Sequence, residues 1–499
     1  MFLRTTSFAV PAFAFLMGGT AHAALTADQV WQSWQDAAAM VGLEVKAATE
    51  NKDGGKLTLN GISIAPPGGP AFTISDMVLT ETGDGSVSIV PGADIGAEWS
   101  DNGSGSFKLV HEGLALTARQ DGDGLVYDFG ADKLDVVYDT ATPGYSFDET
   151  PAQDVKSSGT FGFAGLAGSY SDRPGTNRTF GLTLKADKLA YETAMDDPMM
   201  QLKQTTKSET DAVELTLGLT LPTTVSLAGA NEPAVFGAAL QDGLALTVTT
   251  RQGDSNGSMN QESPDFPMNM AIKAGGGDAS LMFNKDTFNV QSSGAGLELD
   301  VTSDAMPTPV RVTSGPIRFG LTSPVIATET AGEYGLVMKL SQFSVNEEAW
   351  ALIDPAGALK RDAADLAVDI SGKTKLDFIG MIEASDKGIE PPVPALETLN
   401  ITELGLKVAG AALAGTGAFT FDNSMGIPMP LGEANVSITG ANALIDGLIA
   451  AGLMAEEDAM GARMMMGAFM SPGANADELT SKIEAKEGFE IYVNGQRVQ

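Results

Sequence analysis

Along most of the chain, apolar and polar residues alternate singly, which is the period of a half-buried β-strand. The segment KLTLNGISI places Leu57, Leu59, Ile62 and Ile64 about Asn60-Gly61, a pair that tolerates positive φ at both positions, and so predicts a hairpin there. Comparable segments recur toward the C-terminus, among them GLALTAR, LVYDFGADKLDVVYD, AVELTLGLTL, IRFGLTS, YGLVMKLSQFSV and LNITELGLKV. Turn sequences such as Gly83-Asp84-Gly85 and Asp121-Gly122-Asp123-Gly124 separate them. The succession predicts a long antiparallel sheet. Within it Ala131-Asp132-Lys133-Leu134 is echoed by Ala186-Asp187-Lys188-Leu189, which suggests a repeated strand pair. Three polar stretches that lose the alternation, 196–212, 251–267 and 383–394, are expected to be long loops.

The period becomes helical in a few places. Thr26-Ala27-Asp28-Gln29 fits a capping box, in which the Thr hydroxyl and the Gln amide each satisfy an early backbone donor. Val30, Trp31, Trp34, Ala38 and Val41 then predict an amphipathic helix from Thr26 to Val41, ended by Gly42. Its tryptophan stripe reads first as packing onto the sheet; the second reading makes Trp31 and Trp34 a hydrophobic contact. Glu347 to Ile353 forms a short helix that Asp354-Pro355 ends. Near the C-terminus, Asn442 is expected to cap ALIDGLIAAGLM, with Leu444, Ile445, Leu448, Ile449 and Leu453 on one face, and a second helix runs through Met460 to Met470. Met464, Met465 and Met466 belong to a methionine cluster that reads first as core filler and second as an adaptable apolar contact surface.

The first residues change the picture of where the chain works. Arg4, an apolar run from Phe8 to Met17, and the small residues Ala21 and Ala23 form the three parts of a secretory signal. The run is shorter than the roughly 20 apolar residues of a transmembrane helix. The organisation expected is a signal segment, 1–23, followed by one elongated β-rich domain over 24–499, with a sub-boundary in 251–267. Export to the periplasm follows, with no transmembrane segment after processing. The chain has no cysteine, so neither disulfides nor Cys-linked lipid enter. Its formal net charge of -34 opposes a nucleic-acid partner, because phosphate contacts need clustered Lys and Arg.

Candidate chemistry is sparse. After cleavage His111 is the one imidazole left, and in FKLVHEGLALTAR it reads as a solvent-facing strand residue, turned away from Leu109, rather than as the proton carrier of a Ser-His-Asp hydrolase. No Ser-x-x-Lys arrangement occurs. Zinc and other transition metals lack ligands of the usual kinds. Asp121 and Asp123 alternate as in a calcium loop, but Leu125 occupies the next ligand position, so they read as a hairpin turn. Thioether ligation of Cu(I) by the methionines is the weakest reading of that cluster. No catalytic, cofactor-binding or metal-binding residue is assigned, and a carboxylate-only glycosidase is the one enzymatic class left open, with no acid pair singled out.

The segment AWALIDPAGALKRDAADLAVDISG, from Ala349 to Gly372, resembles an alphaproteobacterial family called domain of unknown function 2125. The matching features are Asp354, Pro355, Gly357, Arg361-Asp362 and the strand Leu366 to Gly372. The segments AAAMVGLEVKAATENKDGGKLTLNGISI and GTGAFTFDNSMGIPMPLGEANVSITGANALIDGLIAAGLM resemble its start and finish. That family has no defined catalytic residues, so none is carried over, and many of its members keep an N-terminal anchor. The closing pattern is also similar to AsmA-like envelope proteins, which implies a curved sheet, an apolar groove and lipid handling. The expected fold is therefore mainly β with a few helices: a long curved antiparallel sheet, an N-terminal amphipathic helix and a C-terminal helical pair. The expected function is that of a non-enzymatic envelope protein that binds lipid or another hydrophobic molecule, with a structural or protein-interaction module, contacting other envelope proteins, as the alternative. Processing should leave a chain beginning at Ala24; N-terminal sequencing of envelope-fraction protein should read Ala-Leu-Thr, and recovery of Met1 in membranes would show anchoring instead.

Overall fold

The computed structural model describes residues 24–40, 43–66, 71–100, 103–144, 153–224, 232–475 and 477–499. The expected signal segment and the helix end at Val41 and Gly42 lie outside the described residues. Strand outweighs helix by 61% to 14%, so the chain is mainly β as expected. The described residues fall into two compact units, one running to Thr223 and including Met259–Asp265, the other comprising Thr224–Ser258 and Phe266–Gln499.

The first unit opens with helix α1 (Ala27–Met40) and continues with strands β1 (Glu44–Asp53), β2 (Lys56–Ala65), β3 (Phe72–Glu81), β4 (Val87–Pro91), β5 (Ile95–Trp99), β6 (Ser104–Glu112), β7 (Ala115–Asp121), β8 (Gly124–Thr142), β9 (Val155–Arg173), β10 (Asn177–Asp197) and β11 (Leu202–Pro222). The capping box forms: Thr26 N donates to Gln29 Oε1 at 2.9 Å and Gln29 N donates to Thr26 Oγ1 at 3.2 Å. It sets the helix so that Val30, Trp31, Trp34 and Ala38 pack into the same cluster as Leu57, Leu59, Ile62, Leu79 and Ile89. The Asp121-Gly122-Asp123-Gly124 turn forms between β7 and β8, with Asp121 opposite Gly124.

The Asn60-Gly61 hairpin does not form. The reversal lies at Gly54-Gly55, with Asp53 opposite Lys56, and β2 runs straight through Gly61 at φ 60°. What resembled a turn is a change of phase. Leu57 and Leu59 point to the core, and so does Ile62, three positions on instead of two. A left-handed residue within a strand supplies that extra step. The neighbours repeat it: β3 goes from Ile74 to Met77, β8 from Ala131 to Leu134, and β10 from Ala186 to Leu189, which stands opposite the same core-packed Phe163 as Leu134. Registers skip Asp132 against Gly165 of β9, and Asp187 against Ala212 of β11, where Gly165 has φ 61° and Ala212 φ 48°. The steps align into one crease across the sheet, and the Ala-Asp-Lys-Leu echo is its mark on β8 and β10, both paired with β9.

The polar stretch 196–212 is a correction. Only a short turn separates β10 from β11, and the stretch is strand held by cross-strand ion pairs, Lys188 to Glu209 at 2.9 Å and Lys207 to Glu192 at 2.8 Å. Polar residues on both faces remove the alternation while opposite charges across the ladder still favour pairing. The stretch 251–267 likewise contains the end of β12 (Ala245–Gln252) and β13 (Ser255–Glu262).

The second unit holds α2 (Pro233–Gln241), β14 (Met268–Ala274), β15 (Gly277–Phe283), β16 (Thr287–Gly294), β17 (Leu297–Thr302), β18 (Val310–Ser314), β19 (Ile317–Pro324), β20 (Gly332–Val345) and α3 (Glu347–Ile353). These are followed by β21 (Ala364–Lys375), α4 (Phe378–Asp386), β22 (Ala395–Val408), β23 (Ala411–Asp422), β24 (Met429–Thr439), α5 (Ala441–Ala450), α6 (Glu456–Phe469), β25 (Ser471–Pro472), β26 (Glu478–Lys486), β27 (Glu490–Val493) and β28 (Gln496–Arg497). The third polar stretch is a loop only from Lys387, its beginning being the end of α4. The expected cap at Asn442 is also corrected, because β24 enters α5 through Gly440 at φ 71° and Asn442 lies within the helix. Strands β15, β16, β19, β20, β21, β22, β23, β24 and β26 pair in that order, all antiparallel.

The crease makes a testable demand on Gly165. A Cβ there would meet the Asp187 carboxylate at 2.2 Å, on a backbone that already disfavours L side chains. Gly165→Ala should lower stability by about 1–3 kcal/mol in urea unfolding; an unchanged midpoint would show that the crease does not depend on that glycine.

Candidate functional site

Antiparallel pairing puts directly opposed residues on the same face of a sheet. In the second unit that rule lines up apolar side chains across many strands. One row runs Ile317, Leu340, Leu366, Leu406, Leu413, Ile438 and Leu479. The next runs Phe319, Met338, Val368 and Leu404, and a third joins Leu281, Val290, Leu321, Leu336 and Ile370. Positions between the rows face the other side and include Arg318, Lys339, Asp369, Glu403 and Lys407. The sheet is thus apolar on one face and largely polar on the other.

What distinguishes this face is that little covers it. In the first unit α1 seals the sheet, and Leu59, for example, is 0% exposed. None of the large apolar residues in the three rows is fully buried; Phe319, Leu321 and Met338 are exposed, and Leu406 is 42% exposed. A seal exists at one corner, where Leu240 of α2, Val325 and Ile379 of α4 gather Phe283 and Phe288. Phe236 stacks on Phe283 there, with ring centroids 5.8 Å apart. Sequence reading missed the rows because it compares residues along a strand. The available signal was the scarcity of long amphipathic helical segments among the strands from Ala245 to Val345.

The residues singled out in the sequence separate. Trp31 and Trp34 are core: they are 4% and 6% exposed, Trp34 Nε1 donates to Tyr127 Oη at 3.3 Å, and Trp31 Nε1 donates to Glu50 Oε1 at 2.9 Å. Their packing reading holds and a contact role is withdrawn. The methionines reverse in the other direction. α6 buries only Ala459 fully, so Met464 and Met465 stand 71% and 61% exposed and Met466 is half-buried. The core-filler reading fails for Met464 and Met465, because α6 lies against α5, where Arg463 pairs with Asp446, and leaves these side chains outward. Leu453 is exposed beyond the end of α5, so the expected five-residue face stops at Ile449.

His111 is also placed differently from expectation. Residues two apart along a strand share a face, so His111 lies on the side of buried Leu109, half-buried, with its Nε2 3.0 Å from the Gly92 carbonyl. Buried Asp172 pairs with Arg178, whose Nε donates to its Oδ1 at 3.0 Å; burial pushes the Asp172 carboxyl up and the guanidinium opposes that shift. Among the described residues no cluster of three or more His, Asp or Glu could hold a metal ion, and no helix is long and apolar enough to cross a membrane.

The segment around Asp354 is architectural. Asp354 is fully buried, and its two carboxylate oxygens accept from Ala358 N at 3.0 Å and Leu359 N at 2.8 Å. Gly357 turns at φ 65°, and Arg361 Nη2 donates to the Asp354 carbonyl at 3.1 Å while also pairing with Glu347. The Asp-Pro…Gly…Arg pattern folds the connection from α3 to β21.

Fold and site together define a β-rich chain whose C-terminal unit is a one-sided apolar sheet. Residues 222–489, more than half of the chain, match the family described as uncharacterized protein conserved in bacteria, DUF2125. The chain belongs to that family, and the family region coincides with the unit that carries the open face. No curated protein and no solved structure matches the chain.

The contrast between the two sheets can be measured. Leu59→Ala should destabilise by about 2–5 kcal/mol, whereas Leu406→Ala should cost less than about 1 kcal/mol, because the cavity term needs a packed surround. Equal losses in denaturant unfolding would mean that the second face is packed like the first.

Proposed function

We propose that the chain is exported to the periplasm and works there without catalysis, holding the acyl chains of a lipid, or another hydrophobic envelope molecule, on the open apolar face of its family unit. The observation that carries this reading is the set of aligned rows through Phe319, Met338 and Leu406, left in contact with water. Large uncovered apolar patches on a protein mark contact sites. The signal-like N-terminus supports the compartment, and the AsmA-like closing pattern agrees with lipid handling.

Magnitudes make the reading reasonable. Burial contributes roughly 0.8 kcal/mol per CH₂. A sixteen-carbon chain sheathed on one side would gain about half of that total, on the order of 6 kcal/mol, which corresponds to a Kd of roughly 10–100 μM. The apolar rows offer few polar partners for a headgroup, so the chain length of the ligand sets affinity.

The exposed methionines of α6 favour a second reading, a protein-interaction module, because thioether side chains adapt to varied partners. Native mass spectrometry of protein from its own envelope separates the two: co-purified lipid supports the first, and a bare or partner-bound chain supports the second. The sharper test uses the opposed pair Phe319 and Met338. Phe319→Asp with Met338→Asp should keep the circular dichroism spectrum and weaken binding of a fluorescent fatty acid at least tenfold; undiminished binding would place the ligand elsewhere. Replacing Met464, Met465 and Met466 with Gln asks separately whether α6 touches the ligand. Weaker binding with the fold retained includes it, and unchanged binding removes it.

A further inference from the structure

Three adjacent strands of the second unit send their connections out at one end. Lys375 at the end of β21 opposes Ala395 at the start of β22, and Thr398 opposes Thr420 near the end of β23. The α4 segment with its following loop, 376–394, and the turn 423–428 therefore emerge side by side. Asn423 ties them together, its Nδ2 donating to the Leu396 carbonyl at 2.6 Å. α4 itself is anchored by buried Ile379 and by Asp377, whose Oδ1 accepts from Gly380 N at 2.9 Å.

This end of the sheet presents Phe378, Ile382, Ile389, Val393, Met425 and Ile427, all exposed, with Val393 at 64%. Two further properties distinguish it from a surface that folding merely left apolar. In a chain of net charge -34, residues 388–394 and 423–428 carry one charge between them, Glu390. Pro391, Pro392, Pro394 and Pro428 remove four backbone N–H donors from the same segments. A loop that moves from bulk water to the less hydrated headgroup region loses less solvation when it carries few charges and few free backbone donors, and both have been reduced here.

We propose that this apolar end docks on a lipid bilayer with electrically neutral headgroups, inserting the tips of the 388–394 and 423–428 loops at the level of the headgroups. The charge match selects that occupant. The acidic chain is repelled by an anionic surface, whereas a zwitterionic surface accepts uncharged loops. A globular protein partner would gain nothing specific from the loss of N–H donors, since an interface between proteins can satisfy them. The docking goes beyond acyl-chain binding on the sheet face and is separable from it.

The test uses the full processed chain and vesicles of pure phosphatidylcholine. Wild type should float with the vesicles, and a Trp introduced as Ile427→Trp should shift its emission to the blue on mixing. Val393→Asp with Ile427→Asp should reduce flotation at least tenfold without altering the unfolding midpoint or the binding of fluorescent fatty acid in the absence of vesicles. Wild type that ignores phosphatidylcholine, or that binds only anionic vesicles, overturns the proposal. So does a double variant that floats as well as wild type, or one whose effect is a change in oligomeric state. A chain that binds fatty acid but not vesicles overturns the docking alone; one that docks on vesicles but binds no fatty acid keeps the docking and removes the acyl-chain reading.

Discussion

An antiparallel sheet with one apolar face has to cover that face or leave it to something else. Period-two alternation sorts the side chains and pairing aligns them into rows, so the apolar area grows with every strand added. This chain meets the constraint in two ways. In its first unit the rows from Leu57, Leu59 and Leu79 are closed by α1, which delivers Val30, Trp31 and Trp34 onto them. In the second, α2 and α4 close one corner at Leu240, Val325 and Ile379, and the rows through Phe319, Met338 and Leu406 stay open. The lipid-holding role proposed above rests on that asymmetry.

Sidedness has to survive bending. Strands as long as β8 to β11 twist, and a strict period of two would carry their apolar residues off the core side wherever the backbone kinks. The crease solves this by adding a residue at aligned positions, with Gly61 of β2, Gly165 of β9 and Ala212 of β11 in the left-handed region and Asp132 of β8 and Asp187 of β10 skipped in the registers beside the last two. The second unit uses a related step at Gln342, φ 52°, whose N donates to Asp365 Oδ1 at 2.8 Å, where the β20 register shifts.

Much of this was legible in the sequence, and the failures share a cause. Alternation identified the strands, the capping box identified α1, and Asp354-Pro355 ended α3 where expected. Asn60-Gly61 misled because a phase change within a strand and a reversal between strands use the same residues. The stretch 196–212 misled because pairing there comes from charge across the ladder rather than from apolar alternation. The open face was invisible for a deeper reason. Whether Leu406 is covered depends on which elements pack over it, and a pattern along one strand contains no information about that. The methionines show the same limit: their spacing fitted a helix, but only the weak anchoring of α6 reveals that Met464 and Met465 are exposed.

In the proposed role, the apolar rows of the second unit are open in the free protein and covered by acyl chains when lipid is present. The chain has no cysteine, so a single introduced thiol reports its own surroundings without interference. With Met338→Cys, the rate of labelling by a small thiol reagent should be within about tenfold of that of an unfolded control in the lipid-free protein, and should fall at least tenfold once a long-chain fatty acid is added. A thiol that is already protected without lipid, or that labels at the same rate with and without it, would contradict the account.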